Sequence, residues 1–161
     1  MAIKENYLQN GGGALSLEMI ANGVDELLDS AYLPVLLQEA GESEMALKVL
    51  KRLKKREIDR ARDAAINSGV EYKGKIFQSG DKDRNLLTST TSLFSITKAV
   101  PENFVWISKD NEAVPFSLED LINLGGVMAV SVNQNTIKAR ELKDRVERAT
   151  NKAEIEAVAW A

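Results

Sequence analysis

The chain has 161 residues, of which 44% are apolar and 28% charged, and a formal net charge of −3. That size and balance suit one modest soluble domain with an N-terminal extension, and so small a charge gives no global field toward nucleic acid or an anionic membrane. Cysteine and histidine are both absent, which excludes disulfides, thiolate–zinc sites, Cys nucleophiles and Ser-His-Asp triads. Carboxylate and lysine chemistry stay formally open, but the balance is strongly against an enzyme, and no metal or cofactor is expected.

The fold class expected is mostly α (α+β): long amphipathic helices, two short β-hairpins and an extended N-terminal arm. Three segments follow, residues 1–13 as a flexible arm, 14–41 as a short helical segment and 42–161 as a helical domain with small hairpins. In the arm, three consecutive glycines (Gly11, Gly12, Gly13) cost too much backbone entropy for regular structure. Ile3, Tyr7 and Leu8 precede them, either as part of a frayed terminus or as anchors on a partner chain. No apolar run there has the length of a secretory leader, so the chain is expected to be made, and to stay soluble, in the cytoplasm.

From Leu15 the pattern is helical. Ser16-Leu-Glu-Met opens a helix whose stripe runs Leu17, Ile20, Ala21, Val24, Leu27 and Leu28, and Ser30 and Pro34 interrupt it. A short apolar stretch, Tyr32–Leu37, follows and ends at Gly41. Glu42–Asn67 then reads as a long amphipathic helix closed by Ser68-Gly69. Ala46, Val49, Leu50 and Leu53 form one stripe, and Ile58, Ala61 and Ala65 continue it after a shift. Between them lies the basic run Lys51-Arg52-Leu53-Lys54-Lys55-Arg56. The segment Lys48–Arg62 has the charge to touch phosphates, but Glu57, Asp59 and Asp63 are within reach and no aromatic residue interleaves for stacking. A solvated face or inter-chain salt bridges is the favoured reading.

Apolar and polar residues alternate around Lys73-Gly74 in Val70–Phe77, the signature of a two-stranded hairpin. Asp81 caps a Ser/Thr-rich helix through Asn85, Leu86, Leu87, Leu93 and Ile96. A second hairpin pairs Val105–Ser108 with Ala113–Phe116 across Lys109-Asp-Asn-Glu112, and Trp106 and Phe116 are expected to pack on the last helix. That helix starts at Ser117, an apt N-cap, with Glu119 and Asp120 at its positive end. Leu121, Gly125, Met128, Val132, Asn135, Ala139, Leu142, Val146 and Ala149 recur along it with heptad spacing. Such a stripe fits a domain core or helical hairpin better than an extended coiled coil, although part of it could meet another subunit. A short turn, Lys152–Trp160, ends the chain.

From about Arg56 onward this order of features resembles a family of uncharacterised domains from tailed bacteriophages and prophages, found in tail-fibre, tail-assembly and baseplate-associated proteins. The resemblance rests on a basic helix leading to Glu71-Tyr-Lys-Gly-Lys-Ile-Phe77, a polar helix, and Val105-Trp-Ile-Ser-Lys-Asp-Asn-Glu-Ala-Val-Pro115. A long helix, Leu118–Ala149, and the trailing Ala149-Thr-Asn-Lys-Ala-Glu-Ile155 complete it. It implies a virion structural protein of the tail (baseplate, tail tip or fibre attachment) acting as an adaptor between protein chains. A tail-fibre assembly chaperone is the alternative, and a nucleic-acid binder using the basic helix a second one. The partners implied are other tail proteins or a fibre, and further copies of the chain, with a trimer favoured and no membrane. The candidate partner-binding residues are Ile3, Tyr7 and Leu8 on the arm, Leu53 on the split stripe, and Val132 and Leu142 on the heptad stripe.

Overall fold

The computed structural model of the chain describes residues 12–161. Among them are six α-helices, a 3-10 turn and two antiparallel hairpins, the mostly helical α+β class expected from the sequence. The helices are α1 (Gly12–Ala21), α2 (Leu33–Ala40), α3 (Glu44–Asn67), α4 (Asp81–Thr97), α5 (Leu118–Arg148) and α6 (Lys152–Glu156). Strands β1 (Val70–Tyr72) and β2 (Lys75–Phe77) form one hairpin, and β3 (Val105–Ile107) and β4 (Ala113–Pro115) the other.

Two expectations for the N-terminal region need correction. Gly12 and Gly13 lie inside α1 rather than in an arm, because a helix's first turn makes few intrahelical bonds that glycine could weaken. The stripe expected to run on to Leu28 is cut after Ala21. Gly23, at φ +113, ends α1 with bonds from Val24 N to Met19 O and from Gly23 N to Ile20 O, a Schellman closure. Leu27 and Leu28 then belong to a 3-10 turn, Asp25–Asp29. Pro34 sits in the first turn of α2, where its missing N–H costs nothing.

The chain divides into two compact units, residues up to Asp59 together with Glu141–Ala161, and Arg60–Arg140. In the first, Leu17, Ile20, Leu28, Leu33, Leu36 and Val49 form a buried cluster. Ser43 caps α3 by accepting from Ala46 N at 3.2 Å. Asn151 caps α6 by accepting from Glu154 N at 2.9 Å, while the Glu154 carboxylate takes Thr150 N at 2.7 Å. The trailing element singled out in the sequence is thus a reciprocal cap that seats buried Ile155.

In the second unit, β1 and β2 pair Val70 with Phe77 and Tyr72 with Lys75. Lys73 and Gly74 both have positive φ, the left-handed pair a two-residue hairpin requires. Gly69 leads into this hairpin at φ +109, and a Cβ there would stand 2.8 Å from Ile76 Cγ2 and 3.0 Å from Phe77 O, so only glycine fits. The core gathers Val70, Phe77, Leu87, Phe116, Leu121, Leu124 and Met128. Phe116 is its hub, with ring centroids 5.2 Å from Phe77, 5.9 Å from Tyr72 and 6.4 Å from Trp106. Trp106 and Phe116 therefore do pack with the last helix, although Trp106 stays half-buried. Helix α4 takes Gly80 as N-cap, not Asp81; Asp83 accepts from Gly80 N at 3.1 Å.

Candidate interaction surface

Four of the five cations of the basic run pair with carboxylates inside their own unit. Arg56 grips Asp29 with two bonds of 2.6 and 3.1 Å, and Arg52 pairs with Asp25. Lys54 reaches Glu57 at 2.8 Å, Lys55 binds the Glu147 carboxylate and Lys51 donates to Glu147 O at 2.6 Å. Asp59 takes Lys143 at 2.8 Å. Partners on α5 fall in number as those on α3 rise, from Lys51 and Lys55 with Glu147 to Asp59 with Lys143, so these helix segments run antiparallel. The Lys55 ammonium, bonded to Glu147, holds that carboxyl below its usual range. The favoured sequence reading had these cations solvated or paired between chains; the pairs form within one chain.

The heptad-like stripe faces inward. Leu121, Met128, Ala139, Leu142, Val146 and Ala149 are buried, and Gly125, Val132 and Asn135 are half-buried. Among the candidate partner residues, then, Leu142 belongs to the chain's own core. Leu53 is half-buried against the first unit's cluster and Val132 is half-buried on the inner face of α5. Ile3, Tyr7 and Leu8 lie outside the described residues. Of the three described, Leu53 and Leu142 belong to the first unit and Val132 to the second.

What the sequence reading missed lies on the second unit. Its scaffold is tied by polar groups. Asp120, at the start of α5, accepts from Ser117 N at 2.8 Å, Tyr72 Oη at 3.0 Å and Lys73 Nζ at 3.2 Å, and Ser117 Oγ returns a cap to Asp120 N at 3.1 Å. Burial works against the charged carboxylate, but the Ser117 N–H, the Lys73 ammonium and the Tyr72 hydroxyl outweigh it and hold the pKa at about 2. Buried Ser79 donates to Ile66 O at 2.6 Å and accepts from Gly69 N at 3.0 Å. Buried Ser108 closes the second hairpin, accepting from Glu112 N at 3.1 Å. Lys109 N donates to Ile76 O at 2.7 Å and Lys75 pairs with Glu112 at 2.5 Å, joining the two hairpins.

On this scaffold stand uncovered aliphatic side chains. Leu86, Leu93 and Ile96 are 59, 58 and 80% exposed, and their spacing of seven and three places them on one face of α4. Beside them an open groove of about 320 Å³ is lined by Gln78, Asp83, Leu86, Val105, Trp106 and Ile107. Val105 and Ile107 are exposed too. Phe104 O and Ser108 N bond across to Phe116 and Glu112, so the alternation of an antiparallel pair turns the backbone groups of Val105 and Ile107 away from β4. The signal was in the sequence: a helix with Leu87 and Phe94 inward still carries Leu86, Leu93 and Ile96.

Among the described residues no helix is long and apolar enough to cross a membrane. Fold and surface together define a small helical protein with two hairpins and an aliphatic outer face. Residues 49–159 match the family described as a domain of unknown function, DUF4376, and the chain belongs to that family. No curated protein and no solved structure matches the chain.

Proposed function

We propose that the chain is a virion structural protein of a bacteriophage tail, placed at the baseplate, tail tip or fibre attachment. There it acts as an adaptor between tail proteins, without a catalytic step, and associates with its own kind. The observation that carries the adaptor role is the outward aliphatic face of Leu86, Leu93 and Ile96 beside the groove at Val105 and Ile107. Leaving such side chains in water forgoes about 1.5–3 kcal/mol of burial each, a cost that a partner chain recovers. The tail setting is supported by the ordered resemblance of Arg56 to Ile155 to domains of tail-fibre, tail-assembly and baseplate-associated proteins.

A nucleic-acid role is disfavoured because four of the five cations of the basic run are already held by Asp25, Asp29, Glu57 and Glu147. Mass spectrometry of purified particles tests the proposal. The chain should be present in a fixed ratio to tail proteins. Its absence from finished particles, with capture of a tail fibre from infected cells, would replace the adaptor by the assembly chaperone; absence from both would overturn the tail reading.

A further inference from the structure

Helix α5 carries a second apolar stripe, opposite the buried one. Ile122, Val130 and Ile137 are 53, 55 and 49% exposed, and exposed Ala129 lies between them. At 100° per residue these four fall within an arc of about 100°. Gly126 and Asn133 complete the arc, and Glu119 and Arg140 close its two ends, both exposed. Gly126 has no structural need to be glycine: a Cβ there would meet nothing within 4 Å, and its φ is not positive. A mid-helix glycine costs about 1 kcal/mol relative to alanine, and at exposed Gly126 it leaves the helix backbone open to close approach from outside. Beside it β1 and α5 enclose an open groove of about 610 Å³.

We propose that the outer face of α5 is occupied by the same helix of a second copy, running antiparallel about a twofold axis between Ala129 and Val130. That axis brings Ile122 onto Ile137 of the second copy, Gly126 onto its Asn133, and Ala129 onto its Val130. It also sets Glu119 against the other copy's Arg140, twice per dimer. The matching of apolar to apolar, bare backbone to side chain and acid to base follows from one axis and about 30 Å of helix. A parallel pair or a parallel trimer would instead face Glu119 with Glu119 and Arg140 with Arg140, so the geometry selects a dimer over the trimer expected from the sequence. This names one contact of the proposed adaptor, yet it stands apart from the tail setting. A chain that dimerises but never enters a particle would refute the tail reading and leave the dimer intact.

Analytical ultracentrifugation of the full chain at micromolar concentration should show a dimer. Glu119→Arg or Arg140→Glu alone should raise the dissociation constant about tenfold, since each reversal puts two like-charge contacts in the pair, and the double exchange should restore it. Gly126→Leu, whose Cβ meets nothing within 4 Å in the free fold, should give a monomer with an unchanged helical circular dichroism spectrum. Because the chain lacks cysteine, single thiols report the direction. Ala129→Cys should oxidise to covalent dimers, and Glu119→Cys should link to Arg140→Cys but not to itself. A monomeric parent, Glu119→Cys linking to itself, or a charge exchange that fails to restore association would overturn the proposal.

Discussion

The Tyr72 hydroxyl donates to the Asp120 carboxylate at 3.0 Å and so fastens the first hairpin to the first turn of α5. Three further donors converge on the same carboxylate: Ser117 N, Ser117 Oγ and Lys73 Nζ. Lys73 stands in the left-handed region at φ +51, a conformation that costs a non-glycine residue about 1 kcal/mol. Its ammonium offsets that cost by reaching Asp120 and by lying 5.6 Å over the Phe116 ring.

This junction predicts an acid-sensitive fold. The Asp120 pKa of about 2 lies below the 3.8 of a free carboxyl. Its stabilisation is therefore complete above pH 4 and is lost as pH falls from about 4 to 2. Allowing for screening at its partly open site, the contribution is about 1–2 kcal/mol. Urea denaturation at pH 6 and pH 2.5 should show that loss in the parent, and Asp120→Asn should be weaker at pH 6 with a smaller loss on acidification.

Phe116 and Trp106 should separate in a truncation experiment. Phe116 is buried with three ring partners, so Phe116→Ala should cost about 3–5 kcal/mol. Trp106 is half-buried on the rim of the groove, and Trp106→Ala should cost about 2 kcal/mol, because part of its area already meets water. Thermal melts of the two variants give the order directly.

Gly69 tests the geometry of the entry to the hairpin. Gly69→Ala must accept φ +109 and a Cβ at 2.8 Å from Ile76 Cγ2, and should destabilise by about 1–3 kcal/mol. Ile76→Ala in the same background relieves the contact with Cγ2 but neither the 3.0 Å approach to Phe77 O nor the dihedral, and should recover only part of the loss.

The basic run should behave as a structural brace. Arg52→Gln or Arg56→Gln should lower stability by about 0.2–1 kcal/mol each, the range of exposed ion pairs, and less at high salt. A duplex DNA fragment should show no retardation at physiological salt. A shift whose affinity falls steeply with salt would restore the nucleic-acid reading.

Much of the fold was legible because its signals are local. Ser117 and Asp120, Lys73-Gly74 and the inward stripe of α5 follow from spacing and turn chemistry alone. The break at Gly23 was missed because Val24, Leu27 and Leu28 continue the apolar spacing across it, and only the positive φ shows the chain turning. Both unit borders fall inside α3 and α5, a feature no linker composition announces. Ser79 and Ser108 were invisible for another reason, since burial of a serine depends on contacts with distant backbone. The outer surface was missed because the α5 heptads drew notice to the face that the chain itself covers. Residues 122, 130 and 137 matter only once that face is known to be full.

The central claim, that the chain is a working part of a phage tail, is tested most directly by imaging. Particles carrying a tagged version of this chain, labelled with antibody-coupled gold and viewed by electron microscopy, should show label at the distal tail or fibre attachment of most particles. Intact, infectious particles without label, or label on the head alone, would contradict the account.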